Sequence, residues 1–192
     1  AQVADLLMLP MFTTADELRQ FARIVDGHAP IVPLLETAGA LHSLPQWVAT
    51  PGLAEVFVGL NDLHLSLGCR FMFEPLARGH VDQVAAVVHG AGLRFGFGGI
   101  ARLDEGLLPG RDVLSEHVRL GSSAVILSRT FHRSDSSTSF EDEVASLREA
   151  EQRLGVELGN VRTEAAKSSS EAAQCQGELK GLRQQVQEQM AL

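Results

Sequence analysis

The sequence predicts an α/β fold in which a parallel sheet with crossover helices is followed by a helical tail. Apolar runs of strand length alternate with stretches of helical period, an order typical of parallel strands joined by crossovers. Five such runs precede residue 134, after which the chain becomes rich in Glu, Gln, Ala, Arg and Leu. We therefore expect a sheet domain over residues 1–133 and a helical tail over residues 134–192. Whether the second half of the tail is a frayed helix, a weak coiled coil or disordered stays open.

The first two apolar runs, residues 5–10 and 31–35, are continuous and therefore predict strands that are buried on both faces. Thr14 and Glu17 between them have the spacing of a capping box, which predicts the start of a helix. Thr37 follows the second run and predicts the cap of a second, short helix. These segments give the order strand, helix, strand, helix.

The remaining apolar runs continue that order to the end of the domain. Residues 56–60 predict the third strand, residues 94–100 a fourth strand that enters a glycine-rich turn, and residues 123–127 a last buried strand. Apolar residues at helical spacing over residues 81–88 and 113–120 predict the helices between these strands. The result is five strands with helical connections.

Composition excludes several classes of function. The chain has 192 residues and a net charge of -8 from 16 basic and 24 acidic residues, so nothing electrostatic favours a nucleic-acid partner. No apolar run approaches the roughly 18 residues of a membrane span, and the first residues lack the basic region of a signal peptide. Cys69 and Cys175 lie far apart, which fits free thiols in a reducing compartment. We expect a cytoplasmic protein without a membrane or nucleic-acid partner.

Two acids, Glu36 and Asp62, each follow an apolar run, and their spacing fits one strand-to-strand crossover. Active sites of parallel sheets lie at the carboxyl ends of the strands, and neighbouring strands are about 5 Å apart. Two carboxylates at that distance repel each other unless a positive charge lies between them. Oxygen ligands of this kind suit Mg²⁺ or Mn²⁺, with water and substrate completing the shell. The alternative is that each acid caps the helix that follows it, and spacing alone does not decide between the two.

Residues 34–68, LLETAGALHSLPQWVATPGLAEVFVGLNDLHLSLG, closely resemble the core of the HpcH/HpaI aldolase and citrate lyase family. That family carries an E-T-x-x-A motif after an apolar strand, then a P-G turn, a G-x-x-D-L motif and a downstream L-G. The matching positions are Glu36, Thr37, Ala40, Pro51, Gly52, Gly59, Asp62, Leu63, Leu67 and Gly68. Residues 6–18 resemble the preceding family strand, and RFGFGGIARL and AVILSRTF fit the last two, so the resemblance covers residues 4–133.

The resemblance implies a partial (β/α)₈ TIM barrel whose strands correspond to the family's strands four to eight. It implies a carbon–carbon lyase, an aldolase that cleaves or forms a bond next to a pyruvate-like 2-oxo acid. Glu36 and Asp62 would hold Mg²⁺, Mn²⁺ or another divalent cation, which the oxo acid chelates and which acts as a Lewis acid. Backbone amides at Gly59, Leu60, Asn61 and Asp62 would hold the substrate carboxylate. We also expect a homo-oligomer.

Half of the family's catalytic machinery has no counterpart in this sequence. In family aldolases a general-base histidine and a carbonyl-polarising arginine come from earlier strands, so we expect a fragment or truncated product. The alternatives are a barrel completed by a partner chain and a degenerate remnant. His64 is a candidate replacement base, although an exposed loop histidine is the favoured interpretation. Arg129 follows the last strand and is a candidate for binding an anionic substrate, against a surface contact.

Three hypotheses on function remain open from the sequence. The first is the metal-dependent aldolase, with a citrate-lyase-like acyl-CoA thioester lyase as its nearest variant. The second is a catalytically inactive barrel fragment that associates through its helical tail. The third, a phosphate- or nucleotide-binding module, rests on the glycines of residues 96–99 alone, which a tight strand end also explains.

Overall fold

A computed structural model describes residues 4–132 and 138–190 of the chain. Strands and helices alternate through most of these residues, as the sequence predicts. In chain order the elements are β1 (Leu7–Leu9), α1 (Ala15–Val25), β2 (Ile31–Leu35), α2 (Ala38–His42), α3 (Leu44–Trp47), β3 (Glu55–Val58), α4 (Leu60–Ser66), α5 (Glu74–Ala77), α6 (His80–Gly90), β4 (Arg94–Ile100), α7 (Gly110–Leu120), β5 (Ala124–Leu127), a short 3-10 helix (Arg129–His132) and α8 (Phe140–Met190).

The sheet is a curled half-barrel of five parallel strands in the order β1-β2-β3-β4-β5. Each strand therefore pairs with the next one in the sequence, which requires a crossover between every pair. Leu35 at the end of β2 lies beside Val58 at the end of β3. The α/β class and the parallel order of the strands are confirmed. That these strands correspond to strands four to eight of a (β/α)₈ barrel stays a prediction.

The core lies around the three inner strands. All four residues of β3 are buried, and Phe95 and Phe97 of β4 are fully enclosed. Trp47 of α3 packs edge-on against Phe12 at 5.2 Å between ring centroids, and its indole nitrogen donates to the Ala40 carbonyl. The short helices between β2 and β3 thus close one end of this core.

The prediction that the first and last strands are buried on both faces is wrong. Met8 in β1 is 40% exposed and Ile126 in β5 is 49% exposed. Among the described residues, both strands have a neighbour on one side only, so part of each strand faces solvent. An apolar run signals a strand, but it does not distinguish a central strand from an edge strand.

The third strand ends earlier than residue 60, the predicted limit. The chain leaves the sheet at Gly59, whose N–H still donates to the Leu35 carbonyl at 2.9 Å, and α4 begins at Leu60. Asp62 consequently lies in the first turn of a helix and not directly at a strand end. This shift matters because it gives the two acids different surroundings.

The chain divides into two compact units, Ala1–Ala150 and Glu151–Leu192. The predicted boundary at residues 133 and 134 falls on residues outside the described ranges and stays a prediction. In the first unit the start of α8 packs through Phe140, which stacks on His132 at 5.3 Å, and through the buried Leu147. In the second unit α8 continues as an unbroken helix to Met190. Over the described ranges, no helix combines the length and apolar character that crossing a membrane demands.

Candidate active site

Glu36 is held in place by the loop that follows β1. Its side chain is only 5% exposed, and one carboxylate oxygen, Oε1, accepts the N–H of Met11 at 2.9 Å. Met11 adopts a left-handed backbone with φ of 55°, an uncommon conformation outside glycine. The other oxygen, Oε2, lies against Gly59, where a Cβ atom would be only 2.7 Å away. Glu36 is therefore clamped between the end of β1 and the end of β3.

The residues after Glu36 also contact the loop that follows β1. The Thr37 hydroxyl donates to the Phe12 carbonyl at 2.7 Å and accepts the Ala40 N–H at 3.0 Å, so Thr37 caps α2. A Cβ on Gly39 would meet the Thr13 carbonyl oxygen at 2.6 Å. Because Thr37 caps α2, the Glu36 carboxylate is not needed as its cap and turns to Met11 instead.

Asp62 lies among unpaired backbone donors at the start of α4. Gly59 is the N-cap residue, and no described side chain caps the helix. The N–H of Leu63 is the first to bond back into the helix, to the Gly59 carbonyl at 3.0 Å. The N–H groups of Leu60, Asn61 and Asp62 are therefore the open donors of the first turn, where the helix dipole is positive. The Asp62 side chain itself is exposed.

The electrostatics of the pair are unfavourable without a cation. Burial raises the pKa of Glu36 above its usual range, the Met11 hydrogen bond opposes that rise, and the negative charge of Asp62 adds to it. A second carboxylate whose charge opposes ionisation of the first makes the pair a suitable donor set for a divalent cation. No group of three or more His, Cys, Asp or Glu residues within the described part of the chain could hold a metal ion. The pair would thus supply two ligands of a shell that other molecules must complete.

The two candidate catalytic residues lie on different elements, α4 and the 3-10 helix. His64 is in the last turn of α4, with Nδ1 3.3 Å from the Leu60 carbonyl oxygen. Two helical residues apart, His64 and Asp62 point about 200° from each other around the helix axis. Arg129 is exposed and begins the 3-10 helix after β5, which lies three strands from β2. Their assignments stay predictions.

The glycines of β4 have a packing role. A Cβ on Gly96 would lie 2.7 Å from the ring of Phe57, and one on Gly98 would lie 2.8 Å from Leu60 Cδ1. Gly98 also has a φ of 45°, which a side chain would strain. Because Leu60 is the first residue of α4, Gly98 lets the start of that helix approach the sheet. These contacts explain Gly96 and Gly98 without a phosphate ligand.

Two cavities lie elsewhere on the first unit. One, of about 410 Å³, lies where β2 begins, between α1 and the turn at Pro51 and Gly52. The other, of about 800 Å³, lies beside α5 and α7 and includes Phe71 and Leu108. Neither cavity is lined by Glu36 or Asp62, so both lie away from the acid pair.

Sequence reasoning missed Met11, which supplies the hydrogen bond to Glu36. The interaction uses a backbone N–H and joins residues 25 positions apart. Since every residue except proline has such a group, the side chain of Met11 carries no signal for it.

Sequence comparisons give no relatives: no protein-family model and no curated protein matches the chain. Solved structures do match. A citrate lyase from Burkholderia xenovorans has a TM-score of 0.59 and 16% identity, covering 76% of this chain and 49% of its own. The citrate lyase beta subunit from Mycobacterium tuberculosis complexed with oxaloacetate and magnesium has a TM-score of 0.56 and 16% identity, covering 78% of this chain and 62% of its own. An HpcH/HpaI aldolase from Desulfitobacterium hafniense has a TM-score of 0.50 and 17% identity, covering 65% of this chain and 57% of its own.

The chain spans 49% to 62% of the length of these proteins. At such low identity the likeness concerns the fold, and whole-protein activities do not transfer with it. The structures nevertheless include both branches of the family that residues 34–68 resemble. The predicted resemblance to the HpcH/HpaI aldolase and citrate lyase family is thus confirmed at the level of the fold, which this chain shares with part of each protein.

Proposed function

We propose that this chain carries the metal- and carboxylate-binding half of a divalent-metal-dependent carbon–carbon lyase that acts next to a 2-oxo acid. One observation carries the proposal. Glu36, clamped by the Met11 amide, and Asp62, in the first turn of α4, interact electrostatically at the carboxyl edge of two neighbouring parallel strands. Catalytic residues of parallel α/β folds are found at that edge.

The donor set fits Mg²⁺ or Mn²⁺. Both ions prefer carboxylate oxygens and retain open positions for water and substrate. The contact of Glu36 Oε2 with Gly59 fixes the orientation of this carboxylate, which would let it serve as a pre-positioned ligand. When bound, the metal ion would supply a Lewis acid for the carbonyl of the substrate.

The chain's own groups would bind and orient the rest of the substrate. The N–H groups of Leu60, Asn61 and Asp62 are open donors at a positive helix end, which suits the carboxylate of a 2-oxo acid. Gly59 allows the backbone to approach Glu36 closely, so carboxylate and cation sites would be adjacent. His64 and Arg129 remain candidates for proton transfer and anion binding.

Two solved structures support the choice of ligands. The Mycobacterium tuberculosis citrate lyase beta subunit is complexed with oxaloacetate and magnesium. A protein of the same organism is described in complex with magnesium and acetate. Oxaloacetate is itself a 2-oxo acid, and acetate carries the carboxylate alone. We extend that ligand chemistry to this chain as a proposal, with pyruvate as the simplest probe.

The test is thermal unfolding of the purified chain with Mn²⁺ or Mg²⁺, each with and without pyruvate. A ligand that binds only the folded state stabilises it, by about 2.7 kcal/mol at a hundredfold excess over Kd. We expect the melting temperature to rise with metal and to rise further with pyruvate. Glu36→Ala and Asp62→Ala should each abolish the shift.

Asp112→Ala is the matched control. Asp112 is the third residue of α7, as Asp62 is of α4, and both side chains are exposed. This variant should keep the full response because Asp112 lies in α7, away from the carboxyl ends of β2 and β3. A wild-type chain that does not respond to either metal would contradict the proposed site.

A further inference from the structure

The second unit is a long helix that needs a packing partner. Its described side chains, from residue 151 onwards, are exposed or at most half-buried. Four glycines, Gly155, Gly159, Gly177 and Gly181, lie in it with open space where a Cβ would be. Each glycine disfavours the helix relative to alanine, and helices in proteins owe most of their stability to packing. A stable helix of this composition implies a surface that covers one of its faces.

The sequence of this helix keeps an unbroken alternation of three- and four-residue steps. The positions so related are Leu154, Leu158, Val161, Ala165, Ser168, Ala172, Cys175 and Leu179. This is the spacing of the a and d positions of a coiled coil, with Leu158, Ala165, Ala172 and Leu179 at a. None of the four glycines occupies such a position. The seam positions in the middle of this helix therefore hold smaller side chains without a loss of register.

Charges beside this seam select one partner and one orientation. The g positions before each a residue are all acidic: Glu157, Glu164, Glu171 and Glu178. The e positions that they would face in a parallel, in-register copy are Arg162, Ser169, Gln176 and Arg183, so every facing pair is attractive or neutral. In an antiparallel pair g faces g, and glutamate would meet glutamate.

We propose that residues 151–184 pair with a second copy of this chain as a parallel, in-register two-stranded coiled coil. Glu157 faces Arg162 of the other copy, and Glu178 faces Arg183. The d positions meet their own counterparts across the axis, so Ser168 lies beside Ser168 of the other copy and Cys175 beside Cys175. The small residues in the middle of the seam allow the two helices to approach closely at that point. The association is independent of the proposed lyase activity.

Disulfide trapping of the full-length chain tests this register. Cys69 is buried, and replacing it in a Cys69→Ala background leaves Cys175 as the single thiol. With oxidised glutathione, two Cys175 thiols lose two electrons and two protons, one disulfide joins the chains, and two reduced glutathione molecules form. We expect a covalent species of twice the 20.7 kDa chain on a non-reducing gel.

Two serines provide the matched pair of variants. In a background with both cysteines replaced, Ser168→Cys puts a thiol at a d position and Ser170→Cys puts one on the outer face of the same turn. Since a disulfide requires Cα atoms within about 7 Å, Ser168→Cys should cross-link at least about tenfold faster than Ser170→Cys. Equal rates at the two positions would overturn the proposal. Trapping at Ser168→Cys without trapping at Cys175 would also overturn it, because an antiparallel pair can align only one of them with itself.

Charge reversal in solution supplies an independent measurement. Glu178→Arg places an arginine opposite Arg183 of the other copy. It should raise the dissociation constant of the dimer about fivefold, given the size of such pair energies. The double variant Glu178→Arg with Arg183→Glu restores opposite charges and should restore the equilibrium, as judged by sedimentation. A dissociation constant that neither substitution changes would assign association to another surface and overturn the proposal.

Discussion

The end of β2 and the first turn of α4 each carry one carboxylate of the proposed site, yet they are built differently. Glu36 is buried, hydrogen-bonded to Met11 and packed against Gly59. Asp62 is exposed in a helix whose first turn no described side chain caps. The first acid is positioned by the packing of three chain segments, whereas the second is presented to solvent by a single backbone turn.

Because Glu36 is buried and Asp62 is exposed, the two acids should affect the stability of the metal-free chain differently. Burial of a carboxylate works against its charged form, so Glu36 lowers the stability of the metal-free chain at neutral pH. An exposed carboxylate has no such cost. Substitution at either acid should remove the metal response, but substitution at Glu36 should change the free energy of unfolding without metal more than substitution at Asp62.

The largest expected effect comes from His117, which must be separated from Glu36 in any pH titration. His117 stacks on Phe97 at 3.7 Å between ring centroids, and burial lowers its pKa to about 4. Protonation therefore favours the unfolded chain, and stability present above pH 6.5 is lost as the pH falls towards 4. The shift corresponds to about 3 kcal/mol, which chemical denaturation at pH 7 and pH 4 would measure.

His117→Phe should flatten that acid limb, because it keeps the ring stacked on Phe97 and removes the titrating group. His42→Phe, which replaces an exposed histidine, is the control and should retain the limb. Glu36 acts in the opposite direction: its raised pKa makes the folded chain gain stability as the pH falls. An acid limb that is unchanged in His117→Phe would contradict the assignment.

The second prediction breaks the clamp on Glu36. In Gly59→Ala the new Cβ would lie 2.7 Å from Glu36 Oε2 and 3.0 Å from Glu36 Cβ, so the glutamate must move. We expect a loss of about 2 kcal/mol in the free energy of unfolding, the usual cost of overpacking, together with loss of the metal-induced thermal shift. Gly90→Ala, at the open end of α6, should leave both measurements unchanged. A Gly59→Ala chain with normal stability would show that the contact is easily relieved.

The smallest expected effects test the difference between Glu36 and Asp62 most directly. Glu36→Gln keeps an oxygen for the Met11 amide and removes the buried charge, so it should raise the stability of the metal-free chain at pH 7 by less than about 1 kcal/mol. Asp62→Asn changes an exposed group and should stay within about 0.5 kcal/mol of wild type. Both should weaken metal binding in calorimetric titrations. Equal stabilities for the two variants would remove the asymmetry argued above.

Local signals predicted the elements that depend on local structure. β2 and β4 have the bounds that their apolar runs predict, because the inner strands of a parallel sheet are buried on both faces. The capping box is present in full: the Thr14 hydroxyl accepts from the Glu17 N–H, and the Glu17 carboxylate accepts from the Thr14 N–H. Both features involve residues at most a few positions apart.

Contacts between distant segments escaped prediction. The Met11–Glu36 bond, the exposure of Met8 and the start of α4 at Leu60 all depend on which strands become neighbours. The proposed coiled-coil register of the tail was not predicted from the sequence for another reason. Its central seam positions, such as Ala165 and Ser168, are small, so a search for large apolar residues passes over a spacing that is regular.

The left-handed turn at Met11 has a further consequence through thermodynamic reciprocity. The Met11 amide favours the ionised form of Glu36, so the ionised form must favour that turn by the same factor. Any event that changes the charge state of this one carboxylate, whether a proton or a cation, therefore also changes the conformational equilibrium of the segment leading into α1. The loop and the carboxylate behave as a single coupled unit.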